Sequence, residues 1–221
     1  MQLTGMLWGR KLLDLVEFPH SEVRGPELSV DEIKDMIKRH GQIFIKPLFK
    51  GGVGKKGKSG LLGRVDNIAD ALKEKERLYF AEHVDGFLKA KSDGVTYEGS
   101  VPADYEVYFS ISESTEHRCP IMTITHHGGV DIEELDSDKM KVVPFDALTG
   151  LKAFHVSNAL MELGAPTALI SPLVQNLPKL WDLYNNYGML MLELNPIRMQ
   201  PGKGGRLAPI ACDFKCAFDL D

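Results

Sequence analysis

The chain has 221 residues, of which 43% are hydrophobic and 26% charged, and its formal net charge is −5. This acidic balance argues against general nucleic-acid binding, which needs a basic surface to replace the counterions of the phosphates. No run of about 18 apolar residues occurs, so the sequence predicts no membrane span. The three cysteines lack zinc-site spacing, and we interpret them as reduced thiols of a cytoplasmic protein.

In the first half of the chain, a capping box marks the clearest helix. Ser29 is followed three residues later by Glu32, and Gly41 stands where the apolar periodicity ends. Further helices are predicted at 6–16 and 66–73. Strands are predicted at 43–45, 61–65 and 78–82, and the polar stretch 86–104 is predicted to be a loop.

The second half mixes paired strands with helices. Strands are predicted at 106–111, 121–125, 189–194 and 210–215, and helices at 154–163 and 173–184. Pro178 should kink or split the last helix, because proline lacks a backbone donor and clashes with the preceding turn. Since no regular βαβ alternation appears, the sequence predicts an α+β fold and not a doubly wound sheet.

Residues 52–59, GVGKKGKS, fit the P-loop pattern. A P-loop requires a helix to begin at its Lys-Ser, because the helix N-terminus helps to hold the phosphates. Two of the next four residues are Gly60 and Gly63, and each glycine costs a helix about 1 kcal/mol relative to alanine. We therefore predict a strand–loop–strand lid, whose glycines admit phosphate oxygens and whose lysines supply charge. The alternative is a solvated basic hairpin without a ligand, but Lys46, at the end of the preceding strand, favours the lid.

The last two predicted strands bring two oxygen ligands together. Residues 201–205, PGKGG, are typical of a turn. Positions 195 and 213 average 204, so a hairpin that closes there places Asn195 beside Asp213, with Glu193 on the same strand face as Asn195. An amide oxygen and a carboxylate suit a Mg²⁺ ion that also binds nucleotide phosphates. The alternative is that both residues are ordinary polar ends of an edge hairpin.

Several motifs, in order along nearly the whole chain, resemble the β subunits of succinyl-CoA synthetase and the matching N-terminal part of ATP-citrate lyase. They are IFIKP, KKGKSG, LYFAEH, DYEVYFSI, THHGGVDIEEL, DALTG, LELNPI and CDFK. The resemblance implies an ATP-grasp fold, with the nucleotide between two α/β subdomains. The smaller, lid-bearing subdomain would cover about 24–101, and the larger one about 1–23 plus 102–221. The family's flavodoxin-like CoA-ligase domain does not follow, so we expect an excised fragment or one half of a split subunit.

The same resemblance implies a role for each matching residue. The residues that would bind ATP are Lys46, Lys56, Gly57 and Lys58 at the phosphates, a hinge at Glu82 and His83 at the adenine, and Glu106 at the ribose. Asn195 and Asp213 would hold Mg²⁺. Glu193 would stabilise a phosphohistidine that belongs to another domain or subunit.

Three features depart from the family pattern. Lys56 stands where arginine is usual, so a bidentate phosphate contact would become a point charge. His127 stands before Gly128-Gly129 where glutamate is usual, and we expect His126 and His127 to be structural. The hairpin between Asn195 and Asp213 is a few residues longer than is usual.

In this family ATP phosphorylates a histidine, the phosphate passes to a carboxylate, and CoA displaces it from the acyl phosphate. The implied activity is the ATP-driven half-reaction of an ADP-forming acyl-CoA synthetase, with ATP and Mg²⁺ as cofactors. The implied partner is an α-type subunit or domain that carries the histidine and the CoA site. The THHGGVD motif favours ATP-citrate lyase and DALTG favours succinyl-CoA synthetase, so citrate leads and succinate or malate is the alternative acid. A non-catalytic nucleotide-binding module and a carboxylate–amine ligase of the same fold stay open.

Overall fold

The structure, a computed structural model, describes residues 1–49, 60–85, 88–129 and 135–219. Its strands are β1 (Gln2–Thr4), β2 (Val23–Arg24), β3 (Ile43–Phe49), β4 (Gly63–Val65), β5 (Glu82–Asp85), β6 (Leu88–Gly99), β7 (Glu106–Ser114), β8 (Cys119–Thr125), β9 (Lys141–Pro144), β10 (Met189–Pro201), β11 (Leu207–Ala211) and β12 (Lys215–Phe218). Its α-helices are α1 (Met6–Asp14), α2 (Val30–His40), α3 (Ile68–Tyr79), α4 (Ala153–Glu162), α5 (Thr167–Asn176) and α6 (Lys179–Asn186).

The chain divides into two compact units: a smaller unit of residues 21–101, and a larger unit of residues 1–20 and 102–221. The smaller unit contains a sheet of order β2-β6-β3-β4, with β5 paired to β6. The larger unit contains a sheet of order β1-β12-β10-β7-β8-β9, with β11 paired to β10. The ladders are antiparallel, for example β3 with β6 and β7 with β10. Helices combined with antiparallel sheets confirm the predicted α+β class.

In the smaller unit, α2 and α3 pack against the sheet around β3. Helix α2 begins with the predicted capping box: Ser29 Oγ accepts from the Glu32 backbone N–H at 3.3 Å, and the Glu32 carboxylate accepts from the Ser29 backbone N–H at 2.9 Å. Ile33 on α2, Ile43 on β3 and Leu78 on α3 are fully buried in one cluster. Burial of their apolar area provides the main force that joins helices and sheet.

Two sequence-based assignments in the smaller unit were wrong. The stretch 86–104 was expected to be a loop, yet β6 occupies Leu88–Gly99 and pairs with β3 along most of its length. Its polar residues hid this strand, because the apolar alternation is limited to Val95 and Tyr97, both fully buried. The predicted strand 78–82 is instead the end of α3 followed by β5.

An ionic cluster lies where β2 meets the end of α2. Glu22 Oε1 accepts from Arg24 Nε at 3.1 Å and from an Arg39 guanidinium nitrogen at 2.8 Å, while His40 Nε2 lies 2.8 Å from Glu22 Oε2. Burial raises the pKa of Glu22, but the hydrogen bonds from His40, Arg24 and Arg39 outweigh it and hold that pKa below its usual value.

In the larger unit, helices cover one apolar face of the sheet. Phe109, Ile124 and Leu194 are fully buried on that face, and α4, α5 and α6 contact β8, β11 and β10 respectively. The predicted split at Pro178 is confirmed, because α5 ends at Asn176 and Pro178 is the N-cap of α6. None of the helices within the described ranges has the length and apolar character needed to cross a bilayer.

Candidate functional site

The other face of the larger sheet carries a group of polar side chains along its middle strands. Directly paired residues of antiparallel strands share a face, and the register pairs Glu193 with Ser110 and Arg198 with Glu106. The same reasoning adds neighbours on β8, through the pairing of Tyr108 with Thr125. We call this set the polar face, and its members are Glu106, Tyr108, Ser110, Thr123, Thr125, Glu193, Asn195 and Arg198.

The hairpin between β10 and its return strand has the register that the sequence predicts. Ile197 pairs with Ala211 on β11, and Glu193 pairs with Lys215 on β12. Positions 197 and 211 average 204, as do 193 and 215, so both ladders close about the same residue. Positions 195 and 213 therefore lie opposite each other, at the interruption between β11 and β12.

Asn195 is oriented by a glycine turn that follows β8. Its Oδ1 accepts a hydrogen bond from the Gly129 backbone N–H at 3.0 Å. Gly129 has a φ of 73°, in the left-handed region that favours glycine. An amide oxygen has two acceptor lone pairs, so this type of oxygen can accept a hydrogen bond and face a cation at the same time.

The same turn packs against Glu106 at the start of β7. The Gly128 backbone N–H donates to the Glu106 backbone carbonyl at 2.8 Å, and a methyl group added at Gly129 would overlap Glu106 Oε2. The other carboxylate oxygen, Oε1, forms an ion pair with Arg198 at 2.6 Å. Glu106, predicted to bind ribose, is thus held between a guanidinium and the glycine turn. Arg198 was not identified from the sequence, although its position three residues after Asn195 could have indicated that it lies near the site.

Asn195 and Asp213 carry oxygen donors of the kind that suits a magnesium ion. Asp213 Oδ1 accepts from the Phe214 backbone N–H at 2.9 Å, which leaves other lone pairs of the carboxylate for a cation. Mg²⁺ is usually held by one or two side-chain oxygens and completed by phosphate oxygens and water. Within the described ranges, no cluster of three or more His, Cys, Asp or Glu side chains suited to a metal occurs. The ligand role of this pair stays a prediction.

Glu193, the predicted catalytic residue, lies half-buried on the polar face. Tyr108 donates its hydroxyl to Glu193 Oε2 at 3.3 Å. Burial, and then the negative charge of Glu193, raises the pKa of Tyr108 to about 12. The phenol therefore stays protonated, and a hydrogen-bond donor, at neutral pH. Sequence reasoning missed Tyr108, which reads as an ordinary apolar position of a strand.

Lys46 in the smaller unit is paired with a buried carboxylate. Its Nζ lies 2.6 Å from Glu98 Oε2, and the two side chains are 17% and 5% exposed. Lys46 was expected to end the strand, but β3 continues to Phe49. Glu98 was missed because it belongs to β6, which was interpreted as a loop. A buried lysine needs such a partner, because an unpaired charge is costly in a low-dielectric environment.

The two residues predicted to contact adenine, Glu82 and His83, lie on β5. His83 is buried and its ring centroid lies 6.1 Å from that of Phe49, whereas Glu82 is exposed. Strand β5 pairs with β6 inside the smaller unit, and the chain passes between the units at 20–21 and 101–102. A contact of Glu82 and His83 with adenine stays a prediction.

The remaining predicted residues are Lys56, Gly57 and Lys58, which lie outside the described residues. His126 and His127 are described, and their ring centroids are 4.2 Å apart. Burial, followed by the neighbouring His127, lowers the pKa of His126. The structural role expected for His126 and His127 stays a prediction.

Comparison with known proteins places the chain. Residues 16–199 match the ATP-grasp domain family model. The chain belongs to the ATP-grasp family. Among curated relatives of this ATP-grasp chain, the β subunit of ADP-forming succinate–CoA ligase from Desulfatibacillum aliphaticivorans is 28% identical over 200 residues, which is 88% of this chain and 51% of that protein. The corresponding subunit from Geobacter sulfurreducens is 29% identical over 201 residues, covering 87% and 50%.

Solved structures show the same ATP-grasp fold. ATP citrate lyase from Methanothrix soehngenii has a TM-score of 0.68 at 20% identity, covering 99% of this chain and 52% of that chain. Dinucleotide-forming acetyl-coenzyme A synthetase 1 from Ca. Korarchaeum cryptofilum has a TM-score of 0.73 at 15% identity, covering 99% and 93%. The chain spans about half the length of the curated relatives described above.

Proposed function

We propose that the chain is the ATP-binding part of an ADP-forming acid–CoA ligase. In this proposal it transfers the γ-phosphoryl group of ATP to a histidine on an α-type subunit or domain, which also carries the CoA site. The observation that supports the proposal is the register of the C-terminal hairpin, in which 193 pairs with 215 and 197 with 211, so that positions 195 and 213 lie opposite each other next to Glu193. The match of residues 16–199 to the ATP-grasp family supports the nucleotide, and the named relatives support the acid–CoA ligase class.

Each residue has a defined task in the proposed reaction. Asn195 and Asp213 would hold Mg²⁺, which would neutralise charge on the phosphates. Lys46 adds positive charge at the phosphates, and Glu106 accepts hydrogen bonds from the ribose hydroxyls. The bond between the γ-phosphorus and the bridging oxygen breaks with its electron pair left on ADP, while an imidazole nitrogen lone pair forms the new P–N bond. Glu193 accepts the N–H of the same imidazole and stabilises its developing positive charge.

The acid substrate is proposed at a coarser level. Sequence relatives such as the Desulfatibacillum protein are named for succinate, whereas one structural neighbour is a citrate enzyme. We place succinate first and citrate second, which reverses the order expected from the motifs. Malate stays a third candidate. In each case the acid and CoA would be bound by other domains, and we propose a cytoplasmic location for the whole enzyme.

Asp213→Asn tests the proposed site. The substitution keeps the size and one oxygen but removes the charge that attracts Mg²⁺, so we expect Mg-ATP affinity to fall at least about 10-fold. Isothermal titration measures the affinity, and circular dichroism verifies that the fold is intact. Asp182→Asn, at an exposed position of α6, is the matched control and should bind like the unchanged chain. Equal affinity in Asp213→Asn would refute the assignment.

Phosphoryl transfer is tested with γ-³²P-labelled ATP and the histidine-bearing partner. Acid-labile, base-stable label on a partner histidine is the expected result, because a phosphoramidate hydrolyses in acid. Bound ATP without label transfer would instead favour a non-catalytic nucleotide-binding module. Transfer of label to a carboxylate without any phosphohistidine would favour a carboxylate–amine ligase.

A further inference from the structure

A buried tyrosine contacts the carboxylate that the proposed reaction uses. Tyr108 on β7 donates its hydroxyl to Glu193 Oε2 on β10, across 85 positions of sequence. Its side chain is only 7% exposed, so packing restricts its rotamers. Ser110 is the cross-strand partner of Glu193. Tyr108, Ser110 and Glu193 are therefore neighbours on the polar face.

The position of Tyr108 in the sheet explains why it reaches Glu193. The β7–β10 register shifts between Leu194 and Ile197, so Tyr108 lies beside the interruption where Asn195 leaves the regular ladder. The opposite face of both strands is closed by fully buried apolar residues, including Phe109 and Leu194. Packing therefore holds in place the strand that carries Tyr108, and the tyrosine hydroxyl lies on the polar side of the sheet.

We propose that Tyr108 is a positioning residue for phosphoryl transfer, and that its hydroxyl fixes the Glu193 carboxylate in the orientation that receives the partner imidazole. This inference rests on the proposed function. A glutamate has three rotatable side-chain bonds, so a single anchored oxygen removes much of its freedom before the partner arrives. Such orientation matters in phosphoryl transfer, where catalysis consists mainly of positioning and electrostatics. Tyr108 itself does not contact the reacting atoms.

The larger unit offers a matched control at Tyr184. That residue is also buried, and its hydroxyl donates to Glu113 Oε1 at 3.1 Å and to the Leu190 carbonyl at 3.2 Å. Burial and the charge of Glu113 raise the pKa of Tyr184 as well. The two tyrosines thus lose the same kind of hydrogen bond on replacement by phenylalanine, but only Tyr108 contacts the predicted catalytic carboxylate.

The experiment compares Tyr108→Phe with Tyr184→Phe in two measurements. The first uses the 221-residue chain alone, with glutamate ¹³C-labelled at the carboxyl group and the Glu193 signal assigned through Glu193→Gln. The second measures Mg-ATP affinity by calorimetry and single-turnover transfer of ³²P from labelled ATP to the partner histidine. Loss of a positioning residue should lower the transfer rate and leave the Mg-ATP affinity unchanged, whereas general damage to the fold changes both.

We expect Tyr108→Phe to shift the Glu193 carboxyl signal and to slow transfer by about 10- to 100-fold, with Mg-ATP affinity within about twofold. Tyr184→Phe should leave the signal and the rate unchanged. An unshifted signal, normal transfer by Tyr108→Phe, or equal slowing by Tyr184→Phe would overturn the role of Tyr108 alone. No label on any partner histidine from the unchanged chain would instead refute the proposed function, and the role of Tyr108 with it.

Discussion

Replacing Gly129 with alanine tests how closely the glycine turn packs against the polar face. The residue has a φ of +73°, and an added methyl group would overlap Glu106 Oε2. Glu106 cannot move away without weakening its 2.6 Å ion pair with Arg198. The Gly129 backbone N–H also donates to Asn195 Oδ1. Displacement of the turn would therefore weaken this hydrogen bond to the predicted metal ligand.

The expected cost has two parts. An L-residue at left-handed φ costs about 1–2 kcal/mol, and loss of a charged hydrogen bond between Glu106 and Arg198 costs about 1.5–3 kcal/mol. Both side chains are less than a third exposed, so solvent screens their interaction only in part. Together these contributions lower the free energy of unfolding by about 2.5–5 kcal/mol. For a chain of this size the Tm would fall by about 5–20 °C.

Urea and thermal unfolding provide the assay, with Gly164→Ala as the control. Gly164 lies in the same unit at a φ of +64°, and an added methyl group there would meet nothing within 4 Å, so only the backbone cost of about 1–2 kcal/mol applies. Adding Glu106→Ala to Gly129→Ala should cost less than the sum of the two single changes, because the overlap disappears. Equal costs for Gly129→Ala and Gly164→Ala would refute this account of the turn.

Three further predictions concern other parts of the chain. Glu98→Gln leaves the ammonium of Lys46 without its buried carboxylate and should destabilise the chain by about 3 kcal/mol; an unchanged urea midpoint would contradict this. Neighbouring basic side chains hold the pKa of Glu22 below its usual 4.5, so its contribution to stability is complete above that pH and is lost as the pH falls through the lowered pKa. The stability difference between the unchanged chain and Glu22→Gln, measured by urea unfolding from pH 7 to pH 3, should therefore shrink below about pH 4.5. Burial raises the pKa of the Cys216 thiol to about 11, so iodoacetamide should alkylate half-buried Cys119 faster, as peptide mass spectrometry of the native chain would show.

Features that depend on neighbouring residues could be predicted from the sequence. The capping box at Ser29 and the break at Pro178 follow from local backbone chemistry, and the structure has both. The C-terminal hairpin register could also be predicted, because a glycine turn fixes which positions of its two strands face each other. Asn195 and Asp213 could therefore be placed opposite each other before any tertiary contact was known.

Contacts between distant strands were decided by the tertiary structure. Lys46 meets Glu98 across 52 positions, and the Gly129 backbone meets Asn195 across 66. Such pairs depend on the register of whole strands. That register is set by the combined burial of many apolar side chains, so no local pattern encodes it. Strand β6 could not be predicted for the same reason. Its residues are mostly polar, and it forms a central strand because it pairs with β3. The sequence alone thus determined the family, the fold class and the hairpin register that sets position 195 opposite 213, while tertiary packing decided which side chains hold the predicted site residues in place.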